Sequence, residues 1–401
     1  MDAWRQLRGL PKPLWLLFLS TLVNRVGTMV LPFLILYLTT ERGLSPERAA
    51  FILGLNGLGS LVITPVGGWL CDRWGAVPLL IVSLVSGGLL IMLYPLVHGF
   101  AAIAALTLVW ALVSEACRPA TLTAVSAFAP PDKRKPAFAL HRLATNLGMS
   151  IGPAAGGFLA QASFPALFAI DGLSSLLAGV LLWLNFPGHR RFTQVRAAKA
   201  DGVLDSIGAA LQDARLVRFS LVLVVVGTVF FQHVSSLSLF VVRDLGMNES
   251  TYGILFSINT LLIIALEVPL NFSMRHWPHR RAMTLGTALI AVGFGLTGLA
   301  HDFWGAALAV TVWTFGEMVL FPTSSAYVAE ISPPGRQGAY MSLYLMSFNL
   351  AFIVAPAAGV HLRENYGVLA PWAASFAAGM AAAAAMWIIH RPRQAPAPIS
   401  A

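Results

Sequence analysis

The chain has 401 residues, 57% of them hydrophobic and 11% charged, with a mean hydropathy of +0.74. That balance excludes a water-soluble globular domain and makes lipid the expected solvent. The formal net charge of +9 invites a polyanionic partner such as nucleic acid, a reading that the placement of the charges removes.

Apolar stretches of about 20 residues, enough to cross a hydrocarbon core of about 30 Å as helices, recur from end to end. In chain order the predicted spans are 14–38, 48–71, 77–97, 102–127, 138–162, 164–186, 216–242, 249–274, 282–300, 304–329, 336–361 and 368–390. The runs are continuously apolar and rich in Gly and Ala, which excludes the short alternating strands of a β-barrel. The first is too long for a cleaved signal, and no small-residue cleavage site follows it before Pro32 and Tyr37, so it is expected to remain as a span. Cys71 and Cys117 lie far apart without metal or redox spacing.

On this topology nineteen Lys and Arg residues fall on one side, among them Lys12, Arg73, Lys133, Arg190 and Arg280. Four fall on the other, namely Arg42, Arg48, Arg243 and Arg363. Positive charge marks the cytoplasmic face. Both termini are therefore expected in the cytoplasm, and the basicity reports orientation rather than a nucleic-acid partner.

Aligning the chain with itself at an offset of 203 superposes Gly43 to Gly156 on the second half without a gap. Asn56 falls on Asn259, Trp74 on Trp277, His98 on His301, Trp110 on Trp313, Pro119 on Pro322 and Asn146 on Asn349. Apolar sequence matches by chance at Leu and Ala, not repeatedly at Trp, Asn, His and Pro. The expected architecture is an all-α membrane protein of twelve transmembrane helices in two pseudo-symmetric six-helix bundles, residues 1–188 and 216–401. A cytoplasmic linker, 189–215, joins them. Within it Val203, Leu204, Ile207 and Leu211 recur at helical spacing, the pattern of an amphipathic helix lying on the membrane surface. Parallel halves of this kind place a substrate site near mid-membrane, between bundles that rock against each other.

Two motifs add to this. After the second span the chain reads Gly68-Trp69-Leu70-Cys71-Asp72-Arg73-Trp74-Gly75, in which small residues allow close helix approach and Asp72 is available to pair with cations across the seam. In the fifth span Gly148-Met149-Ser150-Ile151-Gly152-Pro153-Ala154-Ala155-Gly156-Gly157 sets three glycines four apart as a smooth strip, with Pro153 permitting a bend. The first resembles the Gly-x-x-x-Asp-(Arg/Lys)-x-Gly signature of the major facilitator superfamily, with Ala76 and Val77 where two basic residues are usual. The second resembles the Gly-x-x-x-Gly-Pro-x-x-Gly-Gly antiporter motif of its drug exporters. With Arg118-Pro119 in span 4 and Arg142-Leu143-Ala144-Thr145-Asn146-Leu147-Gly148 opening span 5, the chain is most similar to the bacterial drug/proton antiporter branch. The Arg followed by Gln-Gly usual in span 4 of that branch is absent.

The resemblance implies that spans 1, 4, 7 and 10 line a cavity, and ionisable side chains within spans are functional candidates. Arg25, Glu115, Arg118 and Glu317 sit at similar expected depth, and Glu115 and Arg118, three apart, share a helix face. Taking an ion out of water costs several kcal/mol, so a carboxylate left unpaired there binds a proton rather than stay charged. Glu115 or Glu317 is thus the candidate for the coupling proton, with Arg25 and Arg118 holding a competing anion or substrate. His233 and Gln232 in span 7 are candidate cavity-wall donors. Arg142 and Glu267, nearer the cytoplasmic ends, are candidate gate charges. Asp171 has no evident partner, and the repeated asparagines favour helix-to-helix hydrogen bonds.

No nucleotide loop, nucleophile constellation or metal spacing is present, so an enzyme is not expected. Neither is a cofactor, the proton gradient being the expected energy source. The reading is a monomeric secondary transporter of the plasma (inner) membrane, exporting amphipathic small molecules in exchange for protons. Proton-coupled uptake of a metabolite by symport, or lipid flipping on the same fold, remains open.

Overall fold

The computed structural model describes residues 9–130, 133–186, 208, 210–274, 276–333 and 337–389, and all regular structure among them is helical. The first half consists of α1 (Lys12–Gly27), α2 (Val30–Thr40), α3 (Pro46–Trp74), α4 (Ala76–Met92), α5 (Phe100–Ser114), α6 (Cys117–Phe128), α7 (Arg134–Ala162) and α8 (Phe164–Asn185). The second consists of α9 (Ala214–Phe230), short 3-10, α and π turns over 231–244, α10 (Glu249–Ser273), α11 (His279–Thr297), α12 (Phe303–Ile331), α13 (Gln337–Tyr366) and α14 (Ala370–Ile389). Among the described residues ten helical segments are long and apolar enough to cross a membrane, counting α1–α2, α5–α6 and Ala214–Asp244 as one each. α7 and α11 are not among the ten. α11 opens with His279, Arg280 and Arg281, which dilute its hydropathy, and α7 is diluted along its length by Thr145, Asn146, Ser150, Gln161 and its glycines, yet both pack against several helices of the bundle. The amphipathic segment expected around Val203, Leu204 and Ile207 lies outside the described residues.

The duplication is visible in the helix starts. Pro46, Ala76, Phe100 and Arg134 open α3, α4, α5 and α7, and the residues 203 further on, Glu249, His279, Phe303 and Gln337, open α10, α11, α12 and α13. Gly43 and Gly246 precede the first of these pairs with φ of 63° and 66°, a left-handed turn that Gly adopts without steric cost. The packing repeats as well. α1 lies against α7 and α8 as α9 lies against α13 and α14, and α3 against α5 as α10 against α12.

Three predicted spans are interrupted. Span 1 breaks at Thr28–Met29, because Pro32 cannot donate to the Thr28 carbonyl one turn earlier. Pro32 then sits comfortably in the first turn of α2. Span 4 breaks at Glu115–Ala116 for the same reason. Pro119 offers no N–H to the Glu115 carbonyl, which takes the Arg118 N–H at 3.2 Å instead. Ser83 of α4 donates to the carbonyls of Val113 and Ser114 at 2.6 and 3.1 Å. Span 7 gives way to 3-10 and π turns from Phe231 to Asp244.

The halves meet along two pseudo-equivalent seams, α7 on α10 and α3 on α13. On the first, Ser257 Oγ donates to the Ser150 carbonyl at 2.6 Å and Thr260 Oγ1 to that of Met149 at 3.4 Å. On the second, Asn349 Nδ2 reaches Thr64 Oγ1 at 3.5 Å. Toward the end bearing Gly43 the interface is closely packed. Residues 30–39 of α2 are all buried apart from Leu31, and Phe33 meets Tyr252 of the other half edge-to-face at 5.3 Å. Toward the end bearing Lys12, Leu122 and Leu345 line a cavity and are each 44% exposed. The bundle is thus closed at the Gly43 end and open at the Lys12 end.

Candidate functional site

The opening leads into a chamber of about 510 Å³. Arg25 of α1, Glu115 in the span 4 break, Arg118 of α6 and His141 of α7 all line it. Glu115 Oε2 and Arg118 Nε pair at 2.6 Å, and the Arg118 side chain is 59% exposed against 17% for Glu115. The interruption of span 4 thus carries a charged pair to the chamber wall at the point where backbone carbonyls are already released from the helix. Arg25 makes no ion pair among the described residues, and its buried Nε has no hydrogen-bond partner. The same holds for buried Nδ1 of His141, which sequence reasoning passed over because it stands beside the more conspicuous Arg142.

A second, deeper chamber of about 180 Å³ shares Ser60, Arg118, Met149 and Asn349 with the first. Phe231, His233, Phe256 and Phe352 of the second half give it an aromatic wall. His233 is fixed by its Nδ1 at 2.6 Å from the Phe230 carbonyl and stacks on Trp313 at 5.7 Å. Gln232 does not line the cavity as expected. Its Nε2 donates to the Ala355 carbonyl at 2.9 Å and its Oε1 accepts from Ser236 at 2.6 Å. The side chain is consumed in tying the span 7 interruption to α13, since a broken helix buried among neighbours must find partners for its freed polar groups.

Glu317 lines neither chamber. Its Oε2 accepts from Asn259 Nδ2 at 2.8 Å, and Asn259 also donates to Thr314 at 3.0 Å. Equal depth did not bring Glu317 to Arg25 and Arg118, because it corresponds at offset 203 to Ser114, and one residue turns a helix by about 100°. Its cationic neighbour is Arg142, which lies within Coulombic reach from the first half. Arg142 in turn pairs directly with Glu267 of α10 across the seam. Arg142 of the first half therefore pairs with one carboxylate of the second, Glu267, and acts at longer range on another, Glu317.

The glycine strip of α7 receives span 1 at its break. A methyl built on Gly152 would stand 2.9 Å from the carbonyl oxygens of both Arg25 and Val26, and one on Gly156 would stand 2.9 Å from Met29 Cβ. Gly148 packs on Arg25 and Val26. Gly157 and Pro153 face the other way, toward Glu249–Ser250 and Gly253 of the second half. The motif is thus a two-sided spacer between span 1 and α10. In the motif after span 2, Gly75 ends α3 with φ of 93° and Arg73 is exposed. Gly68 and Asp72 lie in α3, and the side chain of Asp72 is outside the described residues.

Three comparisons bear on this arrangement. The family model described as Major Facilitator Superfamily matches residues 17–248 and 219–401. Similar proteins include the uncharacterized MFS-type transporter YqjV of Bacillus subtilis (22% identity, covering 92% of this chain and 90% of that one). Others are the multidrug resistance protein MdtH of Aeromonas hydrophila (23%; 89% of each) and a Na(+), Li(+), K(+)/H(+) antiporter of Planococcus maritimus (22%; 83% and 85%). Among solved structures, the nucleoside transporter NupG superposes with a TM-score of 0.80 at 14% identity over 94% of this chain and all of that one. A POT family transporter bound to 5-aminolevulinic acid does so at 0.75 and 16% over 94% and 95%. With its duplicated helices, its seam and the family match over nearly its whole length, the chain belongs to the major facilitator superfamily of transporters.

Proposed function

We propose that this chain is a proton-coupled exporter of amphipathic small molecules that works by alternating access. In this reading α7 and α11 also cross the bilayer, giving twelve spans in halves 1–188 and 216–401. The linker 189–215 and both termini are cytoplasmic, the protein is a monomer in the plasma membrane, and it is not an enzyme. The observation that carries the proposal is a chamber bearing Arg25, Glu115 and Arg118 on a largely apolar wall, running into an aromatic-walled one between two halves, open at one end and sealed at the other. An amphipathic solute fits that gradient, and rocking about the seams would expose it to the opposite side. The relationship to MdtH and to the cation/proton antiporter supports export by exchange.

Glu317 carries the coupling proton in this scheme. While Arg142 stands close, its positive charge opposes protonation of the carboxyl. When rocking changes that separation, the balance between the charged carboxylate and its protonated form shifts with it. Proton occupancy and the direction of opening are thereby linked through one residue. Flux of amphipathic probes into proteoliposomes under imposed pH gradients tests this in wild type, Glu317→Gln and Glu115→Gln. Loss of the gradient response in Glu317→Gln supports the scheme, and an undiminished response in both variants rejects proton coupling through either acid.

A further inference from the structure

We infer that the transported amphipath is an anion, a compound joining a carboxylate or similar acidic group to a flat apolar body. The inference rests on the proposed transport site and narrows it. Among the described residues two guanidinium groups, Arg25 and Arg118, and one carboxylate, Glu115, line the two chambers, so these side chains carry a formal excess of one positive charge before His141 or His233 binds a proton.

Of the neighbouring acids, Glu267 pairs with Arg142, Glu317 accepts from Asn259, and Asp171 accepts from the backbone of α2 within Coulombic reach of Arg25, and none of the three lines either chamber. A cationic solute entering here would meet like charge in a partly desolvated space, where repulsion is weakly screened. An anionic group would instead meet Arg25, which makes no ion pair among the described residues. Its Nε and His141 Nδ1 are buried with no hydrogen-bond partner among the described residues, so a movement of either side chain toward a bound anion satisfies a group that is costly to leave unsatisfied.

Arg118 adds a second contact. It is held by Glu115 at 2.6 Å but remains 59% exposed to the chamber, so an incoming carboxylate can share or take over its planar donor fork. The apolar part of the solute then points to the aromatic wall, where Phe231, Phe256 and Phe352 line the deeper chamber together with Arg118. Polar head and aromatic body are thus recognised by opposite halves, so that the solute itself bridges the seam.

Binding of three probes to the purified, detergent-solubilised protein tests the inference: 1-naphthylacetate, its neutral amide, and the corresponding naphthylmethyl trimethylammonium cation. The carboxylate is expected to bind at least tenfold more tightly than the amide, and the cation most weakly. Arg25→Gln should erase the advantage of the carboxylate while leaving amide binding in place, which also reports that the variant is folded. Arg25→Lys should restore part of it. A cation that binds more tightly than the carboxylate, or an Arg25→Gln variant that weakens all three probes equally, would overturn the assignment. Flux under a pH gradient separates the two proposals. Carboxylate moving against the proton supports both, and carboxylate moving with it keeps the anionic class and removes antiport. A cation driven by exchange removes the anionic class and keeps antiport.

Discussion

Asp171 Oδ2 accepts the backbone N–H of Val30 at 3.0 Å, and that of Met29 at the same distance. A carboxylate of α8 therefore caps the first turn of α2 at the point where span 1 is interrupted. The negative charge also suits a helix N-terminus. Ser174 and Asn24 complete the joint, Ser174 bonding to the Asp171 carbonyl at 2.8 Å and Asn24 to Ser175 at 3.0 Å. In the second half the interrupted span 7 is tied by its own Gln232 instead. Asp171→Ala leaves two buried N–H groups without partners, each worth about 1–3 kcal/mol. The variant is expected to lose about 2–5 kcal/mol of stability, whereas Asp171→Asn, which keeps an acceptor, loses less than half of that. Thermal unfolding in detergent of the three proteins checks the ranking, and equal stability of Ala and wild type would contradict the cap.

Gly152 and Gly43 separate two reasons for a glycine. At Gly152 a side chain would enter the space held by the Arg25 and Val26 carbonyls, so Gly152→Val must push span 1 away from α7. Transport is expected to fall at least tenfold in membranes that contain normal amounts of protein. At Gly43 a side chain meets nothing within 4 Å, and the cost arises from φ of 63° alone. Gly43→Ala should lower stability by about 1 kcal/mol and leave flux near the wild-type level. Uptake and melting measured on both variants distinguish blocked packing from backbone strain.

The contrast between these sites shows what the sequence discloses. Helix starts were legible because Pro46, Ala76 and Phe100 repeat their surroundings 203 residues later, and a duplicated chain repeats its turns. The Glu115–Arg118 pair was legible because three residues bring side chains to one helix face. The interruptions of spans 1, 4 and 7 were not, since an apolar run carries no polar punctuation where its hydrogen bonding lapses. Pro32 and Pro119 were the available signals. Asp171 lacked an evident partner because its partner is backbone, and nothing in residue identity announces a free N–H. Polarity alone places Gln232 on the cavity wall, but a buried amide serves an interrupted helix as readily as a ligand. Arg142 and Glu267 were each assigned to a gate, while their pairing depends on which faces of α7 and α10 meet.

Asp213 gives a pH-dependent contact outside the bilayer spans. It caps α9, accepting from the N–H groups of Arg215 and Leu216 at 2.8 and 3.4 Å, and from the Tyr340 hydroxyl of α13 at 2.9 Å. Burial pushes its carboxyl up, but the hydroxyl, the two N–H groups and the Arg215 charge outweigh burial and hold it below the ordinary carboxylate value. A lowered folded value means stabilisation that is present above the unfolded value of about 3.9 and lost as pH falls through the folded one. Wild type is therefore expected to melt higher than Asp213→Asn at pH 7, with the gap closing as the pH is taken below about 4. A gap that stays constant from pH 7 to pH 3 would assign the effect to something other than this charge.

Arg142 and Glu267 provide the most direct test of the seam, because the pair joins α7 of the first half to α10 of the second. The Glu267 side chain is 8% exposed and that of Arg142 58%, so removing the cation strands a buried acid while removing the acid leaves a cation that water can reach. Arg142→Gln should consequently be the more damaging single change, in both stability and flux. Truncating one member of a buried pair costs about 3–5 kcal/mol, and partial exposure of Arg142 places the expected loss toward the lower end. If the two side chains act as a contact between halves, their effects cannot add. The double variant Arg142→Gln/Glu267→Gln should be more stable than Arg142→Gln alone, with a coupling energy of about 1–3 kcal/mol in a double-mutant cycle. The exchanged variant Arg142→Glu/Glu267→Arg should recover part of the stability but not proton-driven flux, because it moves a cation into the second half beside Glu317 and takes it away from the half that must carry it. Melting temperatures and pH-gradient flux on wild type, the two single variants, the double variant and the exchanged variant decide the matter, and full recovery of coupled flux in the exchanged variant would dissociate Arg142 from Glu317.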